Sequence, residues 1–111
     1  MGSFIKGDVV TVPFPFSDLS LPGKRRPALV ITQLEGNDVI LCAISSQKRN
    51  DNYMITLLNN DFSNGSIDRD SYIRSNRLFT ADSNIIINKR GTITKRKLEE
   101  VLHKIIEIVQ S

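Results

Sequence analysis

Pro22-Gly23-Lys24-Arg25-Arg26-Pro27-Ala28-Leu29-Val30-Ile31-Thr32 sets three consecutive cations against the start of an apolar run. From Ala28 to Ile31 the run is unbroken, which is the pattern of a strand covered on both faces and therefore central in its sheet. Glu35-Gly36-Asn37-Asp38 then supplies turn chemistry, and Val39 to Ser45 returns as a second apolar strand, so the two form a hairpin. Hairpin geometry places their far ends side by side. Arg26, at the start of one strand, is thereby expected beside Ser45 and Ser46, at the end of the other. A guanidinium at such a strand end offers a planar fork of donors matched to phosphate oxygens. A solvated turn of charge is the ordinary alternative for a basic triplet of this kind.

Outward from the hairpin, Val9 to Val12 is β-branched, bounded by Gly7-Asp8 and Pro13, and reads as a strand. The connection from Pro13 to Gly23 is long for a compact domain, which marks it as a candidate functional loop. Its Phe14 and Phe16 either pin the loop to the core or, for one of them, stack on a nucleobase. Downstream, Gln47 to Asn52 reads as a loop, Tyr53 to Leu58 as a strand and Ser63-Asn64-Gly65 as a turn. Ser71 to Leu78 alternates as a strand, an arrangement that sends Arg74 and Arg77 to opposite faces. Ile85-Ile86-Ile87 reads as a short strand closed by Asn88-Lys89-Arg90-Gly91.

At Thr94 the period changes. Leu98, Val101, Leu102, Ile105 and Val109 follow helical spacing, with Thr94 placed to cap the N-terminus. Lys95, Arg96 and Lys97 sit in the first turn, where the helix dipole disfavours cations, so they mark either a tolerated surface cost or contact with phosphate or an acidic partner. Six short strands and one terminal helix make a mainly β chain of the α+β type: a small, strongly bent antiparallel barrel capped by the helix. Periodicity alone leaves SH3-like and OB-like barrels both open.

With 111 residues and 40% apolar content, the chain forms a single domain spanning 1–111. The net charge of +3, from 15 basic and 12 acidic residues, says less than its clustering at Lys24-Arg25-Arg26, Lys48-Arg49, Arg74 with Arg77, Lys89-Arg90 and Lys95-Arg96-Lys97. Brought to one face, such clusters serve a polyanion. The single cysteine, Cys42, lies inside an apolar run and is expected as a buried free thiol. No apolar run reaches the length of a membrane span, and no signal-peptide core opens the chain, so the expected location is cytoplasmic, away from membranes.

Four segments together resemble the MazF/PemK family of toxin ribonucleases: Gly7-Asp8-Val9-Val10; Gly23-Lys24-Arg25-Arg26-Pro27-Ala28-Leu29-Val30; Ile44-Ser45-Ser46-Gln47; and Arg69-Asp70-Ser71-Tyr72-Ile73-Arg74. Their order and spacing carry the resemblance from about Lys6 into the terminal helix. It implies an SH3-like barrel, a homodimer and a cognate antitoxin as protein partner. It also implies that the Arg of Arg-Pro and the hydroxyl residue after Ile are catalytic, which fall on Arg26 and Ser45; serine replaces the family's threonine and keeps the hydroxyl. One segment departs. Where some members carry Gln-x-Arg-Thr-x-Asp, this chain has Arg77-Leu78-Phe79-Thr80-Ala81-Asp82, with Phe79 at the place of a second arginine. Either Arg74 or Arg77 compensates, or the chain is a weak enzyme.

The chemistry that remains suits cleavage of single-stranded RNA by the substrate's own 2′-hydroxyl, with Arg26 supplying charge and Ser45 a hydrogen bond. Phe16, Lys24, Arg25, Ser46, Gln47, Arg74 and Arg77 are the expected RNA-binding residues. His103, the lone histidine, falls on the solvated side of the helix. Asp68 and Asp70 share a face but make a poor metal site, so neither a metal nor another cofactor is expected. The alternative is a non-catalytic barrel that binds nucleic acid, or a topoisomerase, without chemistry.

Overall fold

The computed structural model describes residues 4–14 and 24–111, with the backbone alone described at Phe14. Seven strands are present among these residues: β1 (Asp8–Phe14), β2 (Lys24–Gln33), β3 (Asp38–Ser45), β4 (Met54–Leu57), β5 (Phe62–Gly65), β6 (Ser71–Asp82) and β7 (Asn88–Ile93). A single long helix, α1 (Lys95–Gln110), ends the chain. The strands form one antiparallel sheet in the order β4-β6-β3-β2-β1-β7-β5, curled into a half-barrel.

β2 is the fourth of seven in this order, and both its faces are covered, as its unbroken apolar run requires. Leu29 and Ile31 join Val9, Cys42, Ile73 and the buried Val101 of α1 on one face. Ala28 and Val30 join Val10, Val12, Val39 and Leu41 on the other, flanked by Phe4, Phe79, Ala81 and Ile86. Strict period-two alternation along β1, β2 and β3 thus feeds two cores with one sheet.

Two elements differ from the pattern in the sequence. Ser63-Asn64-Gly65, a turn by composition, belongs to strand β5 and pairs with β7, Gly65 facing Gly91. A Cβ on either glycine would overlap the other strand's backbone, and Gly65 takes a φ of +76°, so the close approach needs both glycines. Ile85-Ile86-Ile87 is not a strand. Asp82 accepts a hydrogen bond from the Asn84 amide at 2.8 Å and opens a 3₁₀ turn over Ser83–Ile85, so the last strand starts only at Asn88. A short polar residue that bonds its own backbone outcompetes the β propensity of three isoleucines here.

Thr94 caps α1 by accepting from the Lys97 amide at 3.2 Å. The cation misplaced against the helix dipole at Lys97 is offset locally, by Glu100 at 3.0 Å, Asp61 at 3.7 Å and the Thr56 carbonyl at 3.0 Å. Asp8, which is 1% exposed, ties the two ends of the fold together. It accepts from the Ile5 amide at 3.0 Å and the Thr92 hydroxyl at 2.9 Å, and faces Lys89 at 3.4 Å. No described helix is long and apolar enough to cross a membrane.

Candidate nucleic-acid site

β2 pairs with β3 through Ala28↔Ala43, Leu29↔Cys42 and Val30↔Leu41; continuing that register sets Arg26 opposite Ser45. The neighbouring strand β1 holds Arg26 from the other side, through Val12. The proximity expected from the hairpin is therefore realised. Both residues line an open cavity of about 570 Å³, together with Gln47, Arg49, Arg74, Arg77, Phe79 and apolar positions from β1, β2, β3 and β6. Its volume falls within the range of about 300–1,000 Å³ typical of ligand pockets.

Four guanidiniums line this cavity, and its described lining contains no carboxylate. Arg74 is well buried: its side chain is 13% exposed, Asp51 stands 4.0 Å away, and its Nε is buried without a hydrogen-bond partner. A buried charged donor without an acceptor carries a desolvation penalty that an incoming anion relieves. Ser45 is half-buried; its hydroxyl accepts from the Gln47 amide at 3.1 Å and so fixes the turn from which Gln47 and Arg49 extend.

Arg74 and Arg77 do not point apart, contrary to the alternation read from sequence; both line the cavity. The cause is a bulge. Between the pairs Cys42↔Leu78 and Ile44↔Ile73, β3 advances two residues while β6 advances five. Three extra residues are an odd number, so the face each parity occupies inverts across the bulge. Ile73 accordingly packs into the core under α1, whereas Phe79 and Ala81, of the same parity, pack into the opposite core. Arg74 before the bulge and Arg77 after it end on one face.

Lys24, Arg25 and Ser46 lie beside this cavity rather than in it. They line an adjoining cavity of about 280 Å³, which shares Arg26, Pro27 and Ile44 with the first. Phe16 lies outside the described residues. Arg49 is a cavity residue that the sequence reading passed over, because its place depends on how the turn after Ser45 folds back. His103 is exposed on α1. Cys42 is buried beneath the site and donates to the Arg74 carbonyl at 2.9 Å. Burial pushes its thiol up to about 12, against a smaller opposing pull from the Arg74 guanidinium. Such a thiol is a packing group, since the thiolate is the nucleophilic form.

The model of the PemK-like, MazF-like toxins of type II toxin–antitoxin systems matches residues 5–109. Comparison with curated proteins finds no match. Among solved structures, MazF from Deinococcus radiodurans is similar with a TM-score of 0.77 at 16% identity, covering all of both chains. The MazE–MazF complex from the same organism gives 0.78 at 17% identity over 96% of each chain. An endoribonuclease in complex with its cognate antitoxin, from a Mycobacterial species, gives 0.73 at 12% identity over 97% of this chain and 96% of that one. The shared architecture is that of an antiparallel half-barrel with a C-terminal helix, and the family match runs through every strand of it; the chain belongs to the PemK-like, MazF-like toxins of type II toxin–antitoxin systems.

Proposed function

We propose that this chain is a metal-independent endoribonuclease that cuts single-stranded RNA by internal attack of the 2′-hydroxyl. The observation that supports the reading is that Arg26 and Ser45 line one cavity together with Arg49, Arg74 and Arg77. In the reaction the 2′-oxygen bonds to the adjacent phosphorus and the bond from phosphorus to the 5′-oxygen breaks. The 2′-hydroxyl gives up its proton and the departing 5′-oxygen takes one. The upstream product ends in a 2′,3′-cyclic phosphate and the downstream product in a 5′-hydroxyl.

Arg26 supplies donors to the non-bridging oxygens, where negative charge builds; preorganised donors of this kind are often the largest catalytic contribution. Ser45 holds the phosphate or the attacking hydroxyl by a hydrogen bond. The described cavity lining holds arginines, a serine and a glutamine but no histidine, so the proposed catalysis draws on positioning and charge stabilisation. Phe79 takes the place of a second arginine, and Arg74 and Arg77, turned to the same face by the bulge, supply the guanidiniums in its stead.

The partner reading follows the relatives. The D. radiodurans MazF is found with MazE, and the mycobacterial endoribonuclease with its cognate antitoxin. For this chain the proposed state is a homodimer in the cytoplasm, inhibited by an acidic, partly disordered antitoxin segment that lies across the groove of Arg26 and blocks RNA by bulk and charge.

Cleavage is expected to proceed in EDTA and to stop when the ribose 5′ of the scissile phosphate is replaced by deoxyribose, since the nucleophile is then missing while binding persists. Mass spectrometry of the products reads the end groups directly. Dependence on magnesium, or cutting of the deoxy-substituted substrate, refutes the mechanism; tight binding of both substrates with neither cut identifies a non-catalytic barrel.

A further inference from the structure

The adjoining cavity of about 280 Å³ has a different make-up from the first. Lys24, Arg25, Arg26, Arg69 and Arg90 line it, and the one carboxylate among its lining residues, Asp68, is held by Arg90 at 3.0 Å. Where the main cavity carries Phe79 and a wall of apolar β-strand positions, this one has no aromatic among its described lining. Its far wall comes from elements the main cavity does not use: the segment before β6, which brings Asp68 and Arg69, and β7, which brings Arg90.

Arg26 stands on the ridge between the two cavities, lining both. A guanidinium has five donors in a rigid fork, enough to serve an anion on either side. A single-stranded polyanion that places one phosphate in the main cavity has its next charge to place nearby, and the adjoining depression is basic and offers no aromatic among its described lining on which a base could stack. We infer that this cavity is a second phosphodiester subsite, which grips the RNA strand beyond the scissile phosphate through Arg69 and Arg90 without reading the base. The inference rests on the RNA reading of the main site. Asp68 acts there as an internal competitor: its carboxylate occupies the Arg90 fork until a phosphate takes its place, and at 85% side-chain exposure it is free to swing away.

Non-cleavable 2′-O-methyl RNA of random sequence, fluorescein-labelled, in lengths of three and nine nucleotides, tests this by anisotropy over a salt series. Arg69, exposed and outside both hydrophobic cores, is the first position to change. For Arg69→Ala the nine-mer is expected to bind about fivefold more weakly. Its slope of log affinity against log salt should shrink by about 0.7, the value of one single-strand phosphate contact. The three-mer, which fills the main cavity alone, should lose less than half that factor. Arg69→Glu enlarges the loss, and Asp68→Asn raises nine-mer affinity by releasing Arg90. Arg90→Ala is checked by circular dichroism first, because Arg90 belongs to β7.

Nine-mer affinity and salt slope unchanged in both Arg69 variants, with Arg26→Ala still weakening binding, overturns the subsite and leaves the RNA reading standing. Failure of both oligomers to bind the unaltered protein overturns both. A loss confined to a Glu-rich decapeptide, with RNA binding intact, reassigns the cavity to a protein partner and also overturns the inference.

Discussion

Replacing Arg26 by alanine removes the one guanidinium that faces Ser45 and lines both cavities. If its fork stabilises charge on the reacting phosphate, its loss should raise the barrier by about 2.7–4 kcal/mol, a fall of about 10²–10³ in kcat. Binding should weaken as well, though less, because Arg49, Arg74 and Arg77 remain in the main cavity. Arg26 meets Val12 through backbone pairing and belongs to neither hydrophobic core, so the substitution leaves both cores intact. Arg26→Lys keeps the charge and loses the fork, and should fall between, about tenfold down. Single-turnover cleavage of a labelled RNA gives the rate, and thermal melting by circular dichroism gives the fold. A melt like that of the unaltered protein with a rate within threefold of it would refute the assignment, because no other guanidinium lines both cavities.

Ser45→Ala should lower the rate about tenfold and loosen the turn its hydroxyl closes with the Gln47 amide, while Ser45→Thr should retain both; equal rates for the two variants in single-turnover cleavage would count against the hydroxyl. Asp8→Ala leaves the Ile5 amide and the Thr92 hydroxyl without their acceptor and Lys89 without its counter-ion, so urea denaturation should show a loss of about 3 kcal/mol. Cys42 should react with a thiol reagent only as fast as the chain unfolds at neutral pH. Its folded thiol lies near 12, above an ordinary thiol of about 8.5, so the neutral form's contribution is full below about pH 8.5 and is lost as pH climbs toward 12. Melting temperature followed over that window should fall more steeply for the unaltered protein than for Cys42→Ala, and parallel curves would contradict the burial argument.

Much of the fold was legible in local pattern. The four-residue apolar run after Pro27 announces a strand covered on both faces, and β2 is central with a core on each side. The shift to helical spacing after Thr94 and the capping hydroxyl there place the start of α1 at Lys95. The same stripe predicts burial at Val109, which is 74% exposed, whereas Leu98, Leu102 and Ile105 of the stripe pack against the core. β5 and β7 were misread where local chemistry and distant pairing disagree. Ser63-Asn64-Gly65 has turn composition, yet it becomes a strand because a second glycine, Gly91, comes to lie against it. Ile85–Ile87 has strand composition, yet it yields to the turn that Asp82 caps.

The same division runs through the site. Sequence by itself brings the Arg26 end of β2 alongside the Ser45 and Ser46 end of β3, because an antiparallel hairpin sets its far ends side by side; the register they meet in also depends on the shift between Val30 and Thr32. It could not determine that Arg74 and Arg77 share a face, since period-two alternation is a property of an unbroken ladder. The bulge in β6 lies within its ladder with β3, between Cys42↔Leu78 and Ile44↔Ile73, while Ser71 to Arg74 pair with β4 without interruption. Tertiary pairing also decides where Arg49 points and which basic residues gather in the second cavity, for Arg69 and Arg90 come from segments that local pattern never links. Short-range order follows from side chains and backbone that touch in sequence; a site built across strands depends on the registers that the curled sheet imposes on all of them together.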